Sequence, residues 1–343
     1  MDTKRIGTQT VALSHPPSIL GVGNAVGKKE AAGPLSAYFD YSSIDDTFDE
    51  SSWEKSESSM QTMALKTALK RSGLTPMKLD YLLAGDLLNQ CIATTFCARD
   101  FKIPFFGLYG ACSTMAESLS LSAMLIDGGF ADHIAAITSS HFCSAERQYR
   151  SPLEYGGQRT PTAQWTVTGS GAVILAKSGA GPYITHVTTG KIIDKGITDV
   201  NNMGAAMAAA AYATITTHLS DTNRPPNFYD LIVTGDLGKL GKEIVLDLFA
   251  TDGITLRNYD DCGVLIYNAE QDAHAGGSGC GCSAVVLTAY LLPEMRKGRW
   301  NNILFCGTGA LHSPTSAMQG ESIPGICHAI ALSRKKGATN HDL

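Results

Sequence analysis

No run of about 20 consecutive apolar residues occurs in the chain, which excludes a membrane-spanning helix. The first residues, MDTKRIGTQTVALSHPPSIL, also lack the apolar core of a secretory signal, so any role at a membrane is expected to be peripheral. Positive charge is scarce: the net charge is -5, the pI is near 6.0, and no basic run exceeds Arg334-Lys335-Lys336. Nucleic acid is therefore not an expected partner. Nine cysteines are present, but not in the close, even spacings of a disulfide framework, and they fit reduced thiols in a cytosol. Gly279-Cys280-Gly281-Cys282 is accompanied by no CxxC pair and no HExxH helix, so no zinc site is read from it.

What is present is length and repetition. A chain of 343 residues with 44% hydrophobic and 17% charged residues can bury roughly three quarters of its unfolded surface. The strand-like run Tyr81 to Ala84 leads into Gly85-Asp86-Leu87, and Leu231 to Thr234 leads into Gly235-Asp236-Leu237. GACST at 110–114 is matched by GCGCS at 279–283, each followed by a helical stretch ending in glycine and then by a strand, HIAAITSS or NILFCGTG. Strand, turn, helix and strand thus occur twice, which predicts an α/β fold of two related halves, 1–179 and 180–343, meeting near Ser178 to Pro182.

Between Thr114 and Ile126 the only charge is Glu117, and between Ala284 and Leu292 there is none, so both helices are expected to be buried between layers. Met60 to Arg71 and Gly238 to Phe249 alternate apolar and charged residues at helical spacing and are expected on the outside. Two inner helices, two sheets and outer helices give a five-layer α-β-α-β-α architecture, with 202–219 as a further, alanine-packed helix. The polar stretch 45–59 reads as a solvated loop. GVGNAVGKK at 21–29 has neither dinucleotide nor Walker spacing and reads as a turn beside an edge strand.

Thr114-Met115-Ala116-Glu117 fits a capping box, which puts Cys112 just upstream of a helix start. Such a position favours a thiolate nucleophile, suits an anion bound without covalent chemistry, or holds a small buried side chain in a tight turn. His141, at the end of a strand, His312 and His274, near turns of the second half, and Asp86 and Asp236, at matching strand ends, are further candidates. For the two aspartates, capping of the turn and calcium ligation both fit.

The duplicated pattern, with its cysteine leading into a buried helix, resembles the thiolase fold and especially 3-oxoacyl-acyl-carrier-protein synthase III. The stretches GDLLNQ (85–90), HFCSAERQYRSPLEYGGQRTPTAQWTVTGSGA (141–172), VTGDLGKLG (233–241) and TGALHSPTSAMQGESIPGICHAIAL (308–332) are similar to the stage V sporulation protein AD family of endospore-forming bacteria. The enzymes of this fold pair the cysteine with a histidine after the second-half strand and with an asparagine or second histidine at the second-half turn. Here Asp236 stands after the strand, and HAGGSGCG occupies the turn. An anionic Asp236 would oppose a developing oxyanion, so condensation chemistry is not expected and Cys112 is read as a vestigial nucleophile.

The sporulation resemblance implies a soluble member of a membrane channel assembly that moves dipicolinic acid (pyridine-2,6-dicarboxylate) into the developing spore and out at germination. It also implies direct binding of that dianion, with no cofactor other than calcium accompanying it. Such a ligand needs N–H donors and cationic forks for its carboxylates and a flat apolar slot for its ring. The candidate ligand-binding residues are Cys112, Ser113, Asn89, His141, Arg147, Arg150, Arg159, Asp236 and His312, the arginines alternatively forming salt bridges with Glu146 and Glu154. By analogy with the fold, a homodimer is expected. Localisation follows as the spore compartment or the face of its inner membrane. An acyl-thioester condensing enzyme using Cys112 with other partners remains the alternative.

Overall fold

The computed structural model describes residues 4–149 and 159–336. Ten strands carry the frame: β1 (Ser18–Val26), β2 (Tyr81–Gly85), β3 (Phe105–Gly107), β4 (His133–Ser140), β5 (Gly169–Ala176), β6 (Tyr183–Thr188), β7 (Leu231–Thr234), β8 (Tyr259–Asp261), β9 (Asn302–Ala310) and β10 (Gly325–Ser333). They are ordered β3-β2-β4-β5-β1 in the first half and β8-β7-β9-β10-β6 in the second. Each strand thus has a counterpart five places later, and the senses agree. β3, β2 and β4 run parallel, as do β8, β7 and β9, while β5 and β10 are antiparallel to both neighbours. The α/β duplication anticipated from the sequence is therefore present strand by strand.

Where two sheets are expected, the halves touch edge to edge. β1 and β6 pair antiparallel at Ser18 and Tyr183 alone. The short strands Arg5–Ile6 and Thr10–Ala12 add to β6, giving one 12-stranded sheet that folds around the central helices. Those helices are α3 (Thr114–Asp127), which packs on β2 and β4 and also on β9 and β10, and α7 (Cys280–Val286), which packs on β4 and β5. Beyond α7 the chain continues through a π turn, Leu287–Leu291, into Leu292–Arg296. Pro293 has no N–H to return to the preceding turn, which accounts for the widened turn there. Met115, Leu119, Val285, Val286, Phe305 and Ile330 are fully buried in this layer, and each contributes roughly 1.5–3 kcal/mol of hydrophobic stabilisation.

The outer layers are α1 (Trp53–Ser72), α2 (Ile92–Phe101), α5 (Met203–Thr222) and α6 (Gly238–Thr251), with the short α4 (Phe142–Tyr149) following β4. The expected loop over 45–59 is shorter than anticipated. Ser52 caps α1, its Oγ accepting from the Lys55 N–H at 3.4 Å, and the helix takes residues 53–59 from the polar stretch. GVGNAVGKK is likewise corrected: most of it is β1, a central strand at the junction of the halves. Gly21 and Gly23 are needed there, because a Cβ on either would lie 2.2 Å from the Ala68 or Ala64 carbonyl oxygen of α1. Among the described residues no helix is long and apolar enough to cross a membrane.

Candidate functional site

The carboxyl ends of β2, β4, β7 and β9 converge on one cleft, the place where α/β sheets collect ligands. It encloses about 910 Å³, part of it open to solvent. Its apolar walls include Leu87 after β2, Ala145 and Tyr149 of α4, Met203 and Met207 of α5, and Ala310 of β9. Its polar groups include Cys112, Glu146, Gln164, Asn201, Asp236 and His312.

Cys112 reaches the cleft through a turn different from the anticipated capping box. Residues Ala111–Ser113 form a 3-10 turn entered through Ala111 at φ 52, and it runs directly into α3. The Thr114 hydroxyl donates to the Ala111 carbonyl at 2.7 Å and accepts from the Gly110 N–H at 3.2 Å. Ser113, at the cap position, has helical φ/ψ and makes no side-chain cap bond. Glu117 therefore caps nothing: its Oε2 is buried without a hydrogen-bond partner among the described residues, and burial pushes its carboxyl up.

Asp236, at the end of β7, is the electrostatic centre of the cleft. Its Oδ1 accepts from the Thr308 hydroxyl at 2.7 Å and its Oδ2 from the Gly279 N–H at 2.9 Å, while its own N–H donates to Thr308 Oγ1 at 3.0 Å. The Cys112 thiol faces this carboxyl. Burial raises the Asp236 carboxyl to about 6, against the lowering effect of these donors. The thiol is driven well above its ordinary range, first by burial and then by the Asp236 charge. Placement at a helix start would lower a thiol. Here burial and a facing carboxylate dominate, so Cys112 is held as S–H.

Of the nine candidate residues, the structure brings Cys112, Asp236 and His312 together. His312 follows β9; its ring lies 5.8 Å from that of Tyr149, and its Nδ1 is buried with no hydrogen-bond partner among the described residues. Burial lowers its basicity. Ser113 is fully buried and its hydroxyl donates to the Gly110 carbonyl at 2.7 Å, so it faces the turn and not the cleft. Asn89 is exposed outside the lining; its N–H donates to Gln148 Oε1 at 3.0 Å. His141 is fully buried elsewhere: its Nδ1 accepts from the Cys143 N–H at 3.1 Å, which leaves Nε2 to donate to the Asp46 carbonyl at 2.9 Å. It holds α4 to the 45–49 loop. Arg147 points outward to an ion pair with Glu54. Arg159 lies 4.8 Å over the Trp165 ring, beside the cleft. Arg150 falls outside the described residues.

Asp86, the counterpart of Asp236, accepts from the Leu88 and Thr94 N–H groups, both at 2.8 Å, and from the Thr94 hydroxyl at 2.6 Å. It caps its turn. His274 Nδ1 faces the Thr160 carbonyl at 2.6 Å, outside the main cleft. Among the described residues no group of three or more His, Cys, Asp or Glu is arranged to hold a metal ion.

Gln164 was missed by sequence reasoning. Both hydrogens of its Nε2 are engaged, by the Asp236 carbonyl at 2.7 Å and the Gly277 carbonyl at 2.8 Å, and its buried Oε1 has no partner among the described residues. It sits in TPTAQWTVTG, where nothing in spacing or residue type distinguishes it from a loop amide.

The family model for stage V sporulation protein AD matches residues 7–333. Stage V sporulation protein AD of Bacillus subtilis (strain 168) is 46% identical over 337 residues, covering 98% of this chain and all of that protein. Among solved structures, 3-oxoacyl-[acyl-carrier-protein] synthase III from Aquifex aeolicus VF5 superimposes with a TM-score of 0.60 at 14% identity, covering 92% of this chain and 99% of that one. A variant of OleA from Xanthomonas campestris gives a TM-score of 0.61 at 13% identity, covering 93% and 98%. At these identities the two structures establish the fold, that of thiolase-like proteins, and nothing of the chemistry. With the whole-chain match to the sporulation proteins, the chain belongs to the stage V sporulation protein AD family.

Proposed function

We propose that the protein is a non-catalytic, ligand-binding thiolase-fold subunit that takes up dipicolinic acid in this cleft and serves a membrane assembly moving it into and out of the spore. The observation that carries the reading is the thiol–carboxyl pair. Cys112 occupies the mouth of a central helix, as a nucleophile would, yet Asp236 and burial keep it protonated, so it is a poor nucleophile. Leu87, Ala145, Tyr149, Met203, Met207 and Ala310 supply a slot for a flat ring. Gln164, Asn201 and His312 supply polar contacts along its rim. No resident metal is needed; calcium enters as a companion of the ligand. Calorimetric titration of the purified protein with dipicolinate tests the reading. Saturable binding supports it, and no heat at millimolar ligand overturns it. Incubation with acyl-coenzyme A followed by intact mass is the counter-test, since a stable adduct on Cys112 would restore the enzyme.

The homodimer belongs to the same proposal. β3 is an open edge strand whose three residues are all exposed, with Phe105, Phe106 and Tyr109 uncovered; Leu121 and Met124 of α3 are exposed as well. Its counterpart β8 is largely buried. Edge-to-edge pairing of two copies would close this row of unpaired backbone groups. Sedimentation equilibrium should show a dimer that Phe106→Lys converts to monomer; a monomeric native protein removes this part.

A further inference from the structure

We infer that His312 takes up a proton when an aromatic dicarboxylate enters the cleft, so that an imidazolium supplies the cationic contact for the ligand. The inference rests on the reading that the cleft binds such a ligand. No lysine or arginine is among the described lining residues, whereas Asp236 and Glu146 are. A dianion entering this lining meets carboxyl oxygens and the unpartnered Oε1 of Gln164, while the side-chain donors it meets, such as Asn201, Thr166 and Ser278, are neutral. A cationic contact arises only when a lining group takes up a proton.

Four groups of the lining could hold the proton, and of these Glu146 already has a partner. Asp236 already accepts from Thr308 and Gly279 and faces the Cys112 thiol, so its carboxylate is satisfied as it stands. Cys112 is already protonated. His312 alone is a base with a buried, unpartnered nitrogen. The titratable groups sharing the cleft with it are Tyr149 and Glu146 of α4, Cys112 of the turn and Asp236 of β7, while α5 contributes only Met203 and Met207. Burial disfavours the charged form of His312. A ligand carboxylate against the ring adds an opposite charge, and that raises the imidazole. Affinity must then fall as pH rises through the bound-state value, by at most tenfold per pH unit for one proton.

Titration of the full chain with pyridine-2,6-dicarboxylate between pH 6 and 8, in buffers of different ionisation enthalpy, reads the proton directly. Above pH 6 carboxyl groups of ordinary strength are ionised, so the ligand itself contributes little. The expected result is uptake of about half to one proton per ligand and an affinity roughly three- to thirtyfold weaker at pH 8 than at pH 6. His312→Gln should bind more weakly, with a flat pH profile and no proton uptake. In the native protein the His312 ring nitrogens should show imidazolium chemical shifts only with ligand bound. A flat native profile overturns the inference and leaves ligand binding intact. A slope that survives in His312→Gln but disappears in Asp236→Asn overturns it by placing the proton on the carboxyl. Absence of binding at every pH overturns the binding reading and this inference with it.

Discussion

The ends of β2 and β7 are the same place in the two halves, and each carries an aspartate after a glycine, yet Asp86 is sealed off while Asp236 lines the cleft. Around Asp86, α1 brings Glu57 and Gln61 over the strand end. Glu57 accepts from the Ser139 hydroxyl at 2.8 Å and the Ser144 hydroxyl at 3.0 Å, and the Gln61 amide donates to Thr94 and Ser139. Cys280, at the start of α7, turns its thiol to the Ser139 carbonyl at 2.9 Å. Around Asp236, α5 brings Met203, Gly204 and Met207, and Gly204 lets the helix come so near that a Cβ would lie 2.3 Å from the Leu237 carbonyl. The helix that fills one strand end with polar side chains leaves the other as a cleft with apolar walls. Duplication supplied two strand ends, and the composition of the crossing helix decided which became a pocket.

The strongest way to break the comparison is to open the sealed end. Glu57→Ala leaves the Ser139 and Ser144 hydroxyls without their acceptor beside buried Asp86, and is expected to lower stability by about 2–4 kcal/mol. Urea unfolding measures it; a loss below about 1 kcal/mol would mean that water replaces the carboxyl and the end is not sealed.

A smaller effect separates the two aspartates. Asp236→Ala strips the acceptor from the Gly279 N–H and the Thr308 hydroxyl and is expected to lose about 1–3 kcal/mol of stability and to shift dipicolinate affinity, because a carboxyl facing the ligand is removed. Asp86→Ala is expected to lose similar stability and leave affinity unchanged. An equal shift of affinity in both variants would show that the sealed end communicates with the cleft.

Smaller again per unit of pH is a titration effect. Burial, with the Asp86 charge second, lifts Glu57 to about 8, and burial lifts Glu30 and Asp261 to about 7 and Asp236 to about 6. Each of these carboxyls binds a proton more tightly folded than unfolded. Their contribution is therefore complete below the ordinary carboxyl range and is lost as pH rises toward these values. Stability should fall between pH 5 and 8, by at most about 1.4 kcal/mol per pH unit for each group. Glu57→Gln, which keeps both serine contacts, should flatten the part of the slope nearest pH 8. Unfolding midpoints across this range check it.

The sequence carried the architecture because duplication repeats its punctuation: a glycine-aspartate turn and a small-residue turn recur at matching places. Absence of charge marked α3 and α7 as central, since a helix with no polar face has nowhere else to go. Cys112 and Asp236 were legible for the same reason, as residues fixed at strand and helix ends. His141 and Arg147 misled because position along a strand or helix does not show which way a side chain turns. His141 lies one residue past β4, yet its ring points to the 45–49 loop. Gln164 and Glu57 were invisible because only the folded chain shows a loop amide or an acid in a polar stretch to be buried. Glu57 in particular sits in the segment that reads as solvated loop until Ser52 caps the helix.

The smallest expected effect is at the residue that looks most like chemistry. Cys112→Ala removes a thiol that faces a carboxyl already holding two donors, so stability should change by less than about 1 kcal/mol and dipicolinate affinity by no more than several-fold. The thiol itself should be slow to react. With burial and Asp236 both disfavouring thiolate, alkylation by iodoacetamide at pH 8 is expected at least about tenfold slower than for an unhindered cysteine. Asp236→Asn sharpens the assignment, because removing the facing charge without removing the side chain should speed alkylation while leaving burial unchanged. If native Cys112 reacts as fast as a free thiol, the carboxyl does not control it. If Asp236→Asn leaves the slow rate unchanged, burial alone keeps the proton on sulfur.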